Sequence, residues 1–213
     1  MEIERTGILF VVSGPSGSGK TTVCRRASDK LAGLHYAVSC TTRDPRIGEV
    51  DGQDYHFLAE GDFVERIGRG EFLEHAHVHA KNTRYGTLRS EVEDRLRAGT
   101  DVIIDIDVQG AAQVRGAKDD FLRASAIDVF ILSPAIDELR RRLAGRGTET
   151  PEQVEMRMRT ALEEVRHWRE YDYAFVSGAF DEDLDRMIAI IRAERCRASR
   201  LTIPDSNYSL EQP

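Results

Sequence analysis

The chain has 213 residues, 40% of them hydrophobic, enough for one compact α/β domain that buries roughly 70% of its unfolded surface on folding. A formal net charge of −7 speaks against a nucleic-acid partner, because phosphate-backbone binding calls for a basic domain with clustered Lys and Arg. Three cysteines, Cys24, Cys40 and Cys196, have no metal-ligand spacing and no even number for a disulfide framework, so they are expected to be free thiols of a reducing compartment.

The first apolar run, Ile8 to Val12, is too short for a signal segment or a membrane span, and a cytoplasmic protein with no membrane association is expected. It is short, β-branched and followed by glycines, which predicts a strand buried on both faces. From about Thr41 to Tyr85 the pattern changes to a charged, Gly-rich stretch with short alternations such as Asp54-Tyr55-His56-Phe57 and Phe72-Leu73-Glu74-His75. That stretch predicts an inserted mixed α+β subdomain. Beyond it the spacing predicts a helix over Ser90 to Ala98, a strand over Val102 to Ile106, a strand over Val129 to Leu132 and a helix over Asp137 to Ala144. The polar interruption from Gly145 to Pro151 has two glycines that can serve as hinges, and is expected to be a lid. A helix over Glu152 to Arg169, a strand over Ala174 to Val176 and a helix over Asp183 to Arg197 follow. Past Leu201 apolar periodicity is lost and a flexible tail is expected. Strands alternating with helices imply crossover connections and a doubly wound parallel sheet.

Gly14-Pro15-Ser16-Gly17-Ser18-Gly19-Lys20-Thr21 fits G-x-x-x-x-G-K-[ST] and lies where that pattern must lie, after a buried strand and before a helix. The glycines let backbone N–H groups converge on phosphate oxygens, and the helix aims its positive end at the same charge. Lys20 is placed to bridge β- and γ-phosphates, and Thr21 to put its hydroxyl on Mg²⁺. GTPases, ATPases and small-molecule kinases all use such a loop, so it does not name the reaction. Asp105 and Asp107 end an apolar strand two residues apart, on one side of it, at the carboxyl end where open α/β sheets bind ligands. Asp105 is a candidate for the Mg²⁺ water shell; Asp107 can also cap the next helix.

Ser39-Cys40-Thr41-Thr42-Arg43-Asp44-Pro45-Arg46-Ile47-Gly48-Glu49 followed by Gly52-Gln53-Asp54-Tyr55-His56-Phe57 resembles the signature segment of the guanylate kinase family. Glu71-Phe72-Leu73-Glu74, Tyr85-Gly86-Thr87, Asp105 to Gly110 and Arg142 to Thr148 are similar in order and spacing, and the resemblance covers about residues 7 to 198. It implies ATP-dependent phosphorylation of GMP, with dGMP as a further acceptor. It also implies that Arg43, Arg46, Tyr55 and Tyr85 hold the GMP phosphate, and that Ser39, Glu74, Thr87 and Asp107 read the base. Guanidinium forks suit phosphate oxygens, and an ionised carboxylate can accept both N1–H and N2–H of guanine. Arg142, Arg146 and Arg157 resemble the family's arginines that close over the transferring group, where spread charge calls for cations and no separate general base. The implied layout is a domain over residues 1–201, with core 7–40 and 88–198, a GMP-binding insertion over about 41–87 and a short helical lid over about 140–157, and a tail over 202–213.

Two departures stand out. About two extra residues lie between Glu74 and Tyr85, and Ser177-Gly178 replaces the Asn-plus-acid that the family commonly sets near the donor adenine. The alternatives are a non-catalytic guanylate-kinase-like interaction module, and a P-loop kinase for another small phosphorylated acceptor. The intact Lys20 and Thr21 speak against the first, and Glu74 with Asp107 against the second. Monomer and weak dimer both remain open.

Overall fold

A computed structural model describes residues 5–78, 83–144 and 151–202. The segment expected as a lid tip, 145–150, residues 79–82 of the long connection before Tyr85 and the tail from 203 onward lie outside the described residues. Among those described, no helix is long and apolar enough to cross a membrane.

The chain starts with β1 (Leu9–Ser13), every residue of it buried, and after the Gly-rich loop enters α1 (Lys20–Lys30). β2 (Leu34–Tyr36) follows, then a group of elements that form their own sheet: β3 (Cys40–Thr41), β4 (His56–Phe57), α2 (Glu60–Gly68), β5 (Phe72–Val78) and β6 (Thr83–Leu88). The chain then returns to the first sheet through α3 (Glu93–Arg97), β7 (Asp101–Asp105), α4 (Val108–Arg115), α5 (Asp120–Ser125), β8 (Ala126–Leu132), α6 (Ile136–Ala144), α7 (Pro151–Val165), β9 (Tyr173–Val176) and α8 (Phe180–Arg195).

The large sheet has the order β2-β7-β1-β8-β9 and every pairing in it is parallel. Helices cover both faces. On one, Ile8, Phe10 and Val12 pack with Val23 and Ala27 of α1 and with Leu184, Met187 and Ile191 of α8; on the other, Leu9 and Val11 pack with Leu96, Ala111, Val114 and Leu122. This two-sided burial is why β1 reads as an unbroken apolar run rather than an alternation. The small sheet, β4-β3-β6-β5, is mixed: β3 pairs parallel with β4, while β6 runs antiparallel to both β3 and β5. The doubly wound α/β core with an inserted mixed unit is therefore what the chain builds.

Several boundaries differ from expectation for local reasons. The helix expected over Ser90–Ala98 is a 3₁₀ turn over Arg89–Glu91 followed by α3, the two separated at Val92, whose φ of −117° departs from the helical value. The helix expected to Arg169 stops at Val165; the chain turns so that Tyr171 packs edge-on against Phe130 in the core, ring centroids 4.9 Å apart. α8 begins three residues early at Phe180, with Asp181, Glu182 and Asp183 in its first turn facing the positive end of the helix dipole. β2, only three residues long, gives too little pattern to find.

Candidate active site

The loop between β1 and α1 is shaped by three positive-φ glycines, Gly14, Gly17 and Gly19, at φ 149°, 92° and 91°. Gly14 is also sterically forced: a Cβ there would stand 2.3 Å from the Ile131 carbonyl oxygen of β8. The Lys20 ammonium donates to the Gly14 carbonyl at 2.6 Å and the Pro15 carbonyl at 3.2 Å, so it lies folded over its own loop. β1 and β7 are neighbours with Val12 opposite Asp105, which brings the Asp105 carboxylate beside the start of α1. There it accepts from the Thr21 hydroxyl at 2.5 Å and from the Tyr36 phenol at 2.5 Å. Burial, then the Asp105 charge, pushes the Tyr36 phenol well above its ordinary value, so it stays a donor. Thr21 and Asp105 thus offer two hard oxygen groups at the mouth of the loop, a set that suits Mg²⁺.

Across the cleft, the segment after β3 carries Arg43. Its guanidinium makes a two-pronged pair with Glu49, at 2.6 and 2.7 Å, and lies over the rings of Tyr55 at 4.9 Å and Phe57 at 5.6 Å. That pair, with the Arg46 backbone N–H, holds the Glu49 carboxyl down at about 2, and raises the Arg43 guanidinium above its usual value. Tyr55 meets Tyr85 edge-on at 5.9 Å, and Arg46 is exposed on the cleft wall. Arg25 of α1 donates to the Gln53 carbonyl at 3.0 Å and pairs with Asp54 at 3.2 Å, strapping the loop that carries Tyr55 to the core.

Glu74 stands on β5 opposite Thr87 of β6 and is only 4% exposed. Burial first, then the nearby Asp107 charge, push its carboxyl up to about 7, against the hydrogen bonds from Thr87 that pull it down. Its Oε1 is buried and has no hydrogen-bond partner among the described residues. A buried acceptor of this kind costs free energy unless something else fills it. The Ser39 and Thr87 hydroxyls lie 3.3 Å apart beside it. Asp107 caps α4, accepting from the Gly110 N–H at 2.8 Å, and also lines the cleft.

α7 closes the third side. Arg157 donates to the Ser16 hydroxyl at 2.5 Å, and Glu164 accepts from the Ser16 backbone N–H while burial raises its carboxyl. Of the other lid arginines, the Arg142 side chain and all of Arg146 lie outside the described residues. Ser177 and Gly178 bind Asp183 at 2.7 and 2.9 Å, which anchors the start of α8.

One cleft of about 890 Å³ collects Gly14, Ser16, Gly17, Gly19, Lys20, Thr21, Ser39, Arg43, Arg46, Tyr55, Glu74, Tyr85, Asp105, Asp107 and Arg157. Pro15 and Ser18 complete the loop below it, and Thr87 sits behind Glu74. Sequence reasoning missed Tyr36, Arg25 and Glu164. Tyr36 and Arg25 carry no motif, and Glu164 is one carboxylate among several on an amphipathic helix; only the fold brings them to the loop.

A phosphate loop at the carboxyl end of β1, facing an inserted sheet that presents an arginine clamp and a buried acceptor, defines a P-loop nucleoside monophosphate kinase. The guanylate kinase family model matches residues 6–194. A guanylate kinase of Clostridium perfringens (strain ATCC 13124) is 42% identical over 198 residues, covering 93% of this chain and 88% of the relative. One of Sphingopyxis alaskensis is 44% identical over 201 residues, with 94% and 88% covered. The crystal structure of guanylate kinase from Anaplasma phagocytophilum superposes with a TM-score of 0.77 at 31% identity, covering 94% of this chain and 93% of that one. The chain belongs to the guanylate kinase family.

Proposed function

We propose that this protein transfers the γ-phosphoryl group of ATP to GMP, and that the residues gathered in the cleft carry the reaction. The single observation behind the acceptor is Glu74, a buried carboxylate whose Oε1 has no partner among the described residues. Guanine presents N1–H and N2–H side by side and satisfies such a group, whereas adenine sets an acceptor at N1 against it. Ser39, Thr87 and Asp107 complete the base pocket. Arg43, Arg46, Tyr55 and Tyr85 bind the acceptor phosphate, Arg43 exchanging part of its pairing with Glu49 for phosphate oxygens.

On the donor side Gly14 to Thr21 cradle the ATP phosphates, and the Lys20 ammonium swings from the Gly14 and Pro15 carbonyls onto the β- and γ-phosphates. Thr21 and Asp105 would hold Mg²⁺, which would supply charge neutralisation of the phosphates. Arg157, joined by Arg142 and Arg146, meets the charge of the transferring group. The insertion over about 41–87 and the lid over about 140–157 close over both nucleotides, which excludes water as a competing acceptor. The intact loop, with Lys20 and Thr21, supports catalysis over an interaction module.

A coupled assay of ADP release across GMP, AMP, CMP and UMP tests the proposal. GMP is expected to be the preferred acceptor by about 10⁴-fold over AMP, as in sites built around paired hydrogen bonds. Comparable turnover of AMP would sink it.

The raised Glu74 carboxyl adds a pH signature. GMP needs the carboxylate, and free Glu74 titrates at about 7, so kcat/KM for GMP is expected to fall roughly tenfold per pH unit below that value. The acceptor's own phosphate ionisation also contributes, so the comparison is with Glu74→Gln, in which the Glu74 limb disappears. The stability of the unliganded protein runs the other way. Between about 4.5 and 7 the folded state holds a proton that the unfolded state has lost, so stability falls as pH rises through that window. A pH–rate profile and melting curves across pH 5 to 8 check both signs; identical acid limbs in the two enzymes would overturn the assignment.

A further inference from the structure

β5 is the edge strand of the small sheet, with β6 on one side and, among the described residues, no strand on the other. Its ladder is irregular just before the base-facing carboxylate, where the register shifts between Phe72 and Glu74. Such a bulge bends a strand and re-aims the side chains that follow it. The residue after Glu74, His75, lies opposite Gly86 of β6 and turns its backbone N–H and C=O to the open edge. Both groups are taken by one side chain. Gln113 of α4 accepts from the His75 N–H with Oε1 at 3.1 Å and donates Nε2 to the His75 carbonyl at 2.7 Å. A primary amide reproduces the donor and acceptor of a peptide unit, so Gln113 acts as a one-residue strand added to the edge.

The two bonds fall on successive peptide units, the His75 N–H on the peptide that joins Glu74 to His75 and the His75 carbonyl on the next, so the clamp fixes the backbone at His75 and, through the first of them, bears on the direction in which Glu74 leaves the strand. The same helix meets the carboxylate itself. A Cβ on Gly110 would stand 2.6 Å from Glu74 Oε2, which puts α4 in direct contact with that oxygen. Asp107, Gly110 and Gln113 recur every third residue, and all three work toward β5 or the cleft. α4 begins straight after β7, whose last residue, Asp105, contacts the phosphate loop through Thr21.

We infer that Gln113 is a positioning residue for base selection: its double hydrogen bond to His75 holds Glu74 at the angle that accepts guanine, and references the acceptor pocket to the donor side of the core. The inference rests on Glu74 reading the base. Gln113 touches no substrate and acts only through the strand.

The test compares the full-length enzyme with Gln113→Met, which keeps the length and removes both hydrogen bonds, and with Gln113→Glu, which keeps the acceptor and loses the donor. Each is made in the native background and with Glu74→Gln. For Gln113→Met, loss of the two bonds is expected to raise KM for GMP roughly tenfold and to lower the GMP-to-AMP ratio of kcat/KM by the same factor. KM for ATP should stay within about twofold and kcat within about threefold, with Gln113→Glu falling between Met and wild type. On the Glu74→Gln background the Met variant should have no further effect on the ratio.

An unchanged KM for GMP, equal rises in both KM values, or a full effect persisting on the Glu74→Gln background would overturn the assignment, as would failure of both variants to fold. Glu74→Gln alone separates the two claims. If it leaves the GMP-to-AMP ratio unchanged, the base reading itself fails; if it narrows the ratio while Gln113→Met does nothing, only the role of Gln113 fails.

Discussion

Lys20→Ala is expected to fold normally, bind ATP with modest loss and turn over about 10²- to 10³-fold more slowly, the usual consequence of removing one cation from a developing phosphoryl charge. In the structure the Lys20 ammonium satisfies the Gly14 and Pro15 carbonyls at a half-buried position that solvent can reach. Water replaces it there at small cost, since a protein hydrogen bond exchanged for one to water changes stability by only about 1 kcal/mol. No water molecule replaces a fixed positive charge on the γ-phosphate as the bond to the leaving oxygen lengthens. The effect therefore falls on kcat rather than on the melting temperature, and steady-state kinetics beside a thermal melt separates the two. A variant with near-native kcat would remove the loop from the mechanism.

Glu74→Gln should cut kcat/KM for GMP while narrowing the gap to AMP, because one acceptor becomes a donor aimed at the guanine donors. Loss of a charged hydrogen bond costs roughly 1.5 to 3 kcal/mol, and the new donor–donor opposition adds to that. The same substitution should not destabilise the free protein. Above pH 7 the native carboxylate is ionised, 4% exposed and, among the described residues, one oxygen short of a partner, a state that opposes folding. A neutral amide relieves the charge, so at pH 8 the variant is expected to melt no lower than the native protein. The combination of weaker GMP turnover with undiminished stability marks a residue held for its ligand. A drop of several degrees with an unchanged GMP-to-AMP ratio would instead make Glu74 a packing residue.

What the sequence could carry by itself is what local chemistry fixes. The phosphate loop was legible because its shape depends on glycines at set intervals and its charge on the lysine that follows, all within eight residues. The buried strands β1 and β7 were legible because two-sided burial leaves a plain apolar signal. Arg43, Arg46 and Tyr55 came from a signature segment whose spacing survives as a string. Tertiary structure alone decided which of these groups meet and in what state. Asp105 reaches Thr21 only because β1 and β7 lie side by side in register, and Tyr36, on a three-residue strand with no motif, joins them there.

The same holds on the acceptor side. Glu74 is an ordinary glutamate as a letter, and its carboxyl is pushed up to about 7 by burial between β6 and α4 and by the nearby Asp107 charge. Gln113, 38 residues from His75, is an ordinary exposed glutamine of a helix until the fold sets it on the open edge of β5. Hydrogen-bond geometry and desolvation depend on neighbours far apart in the chain, so no window of residues records them; backbone conformation and burial period depend on the residues themselves, and a window is enough.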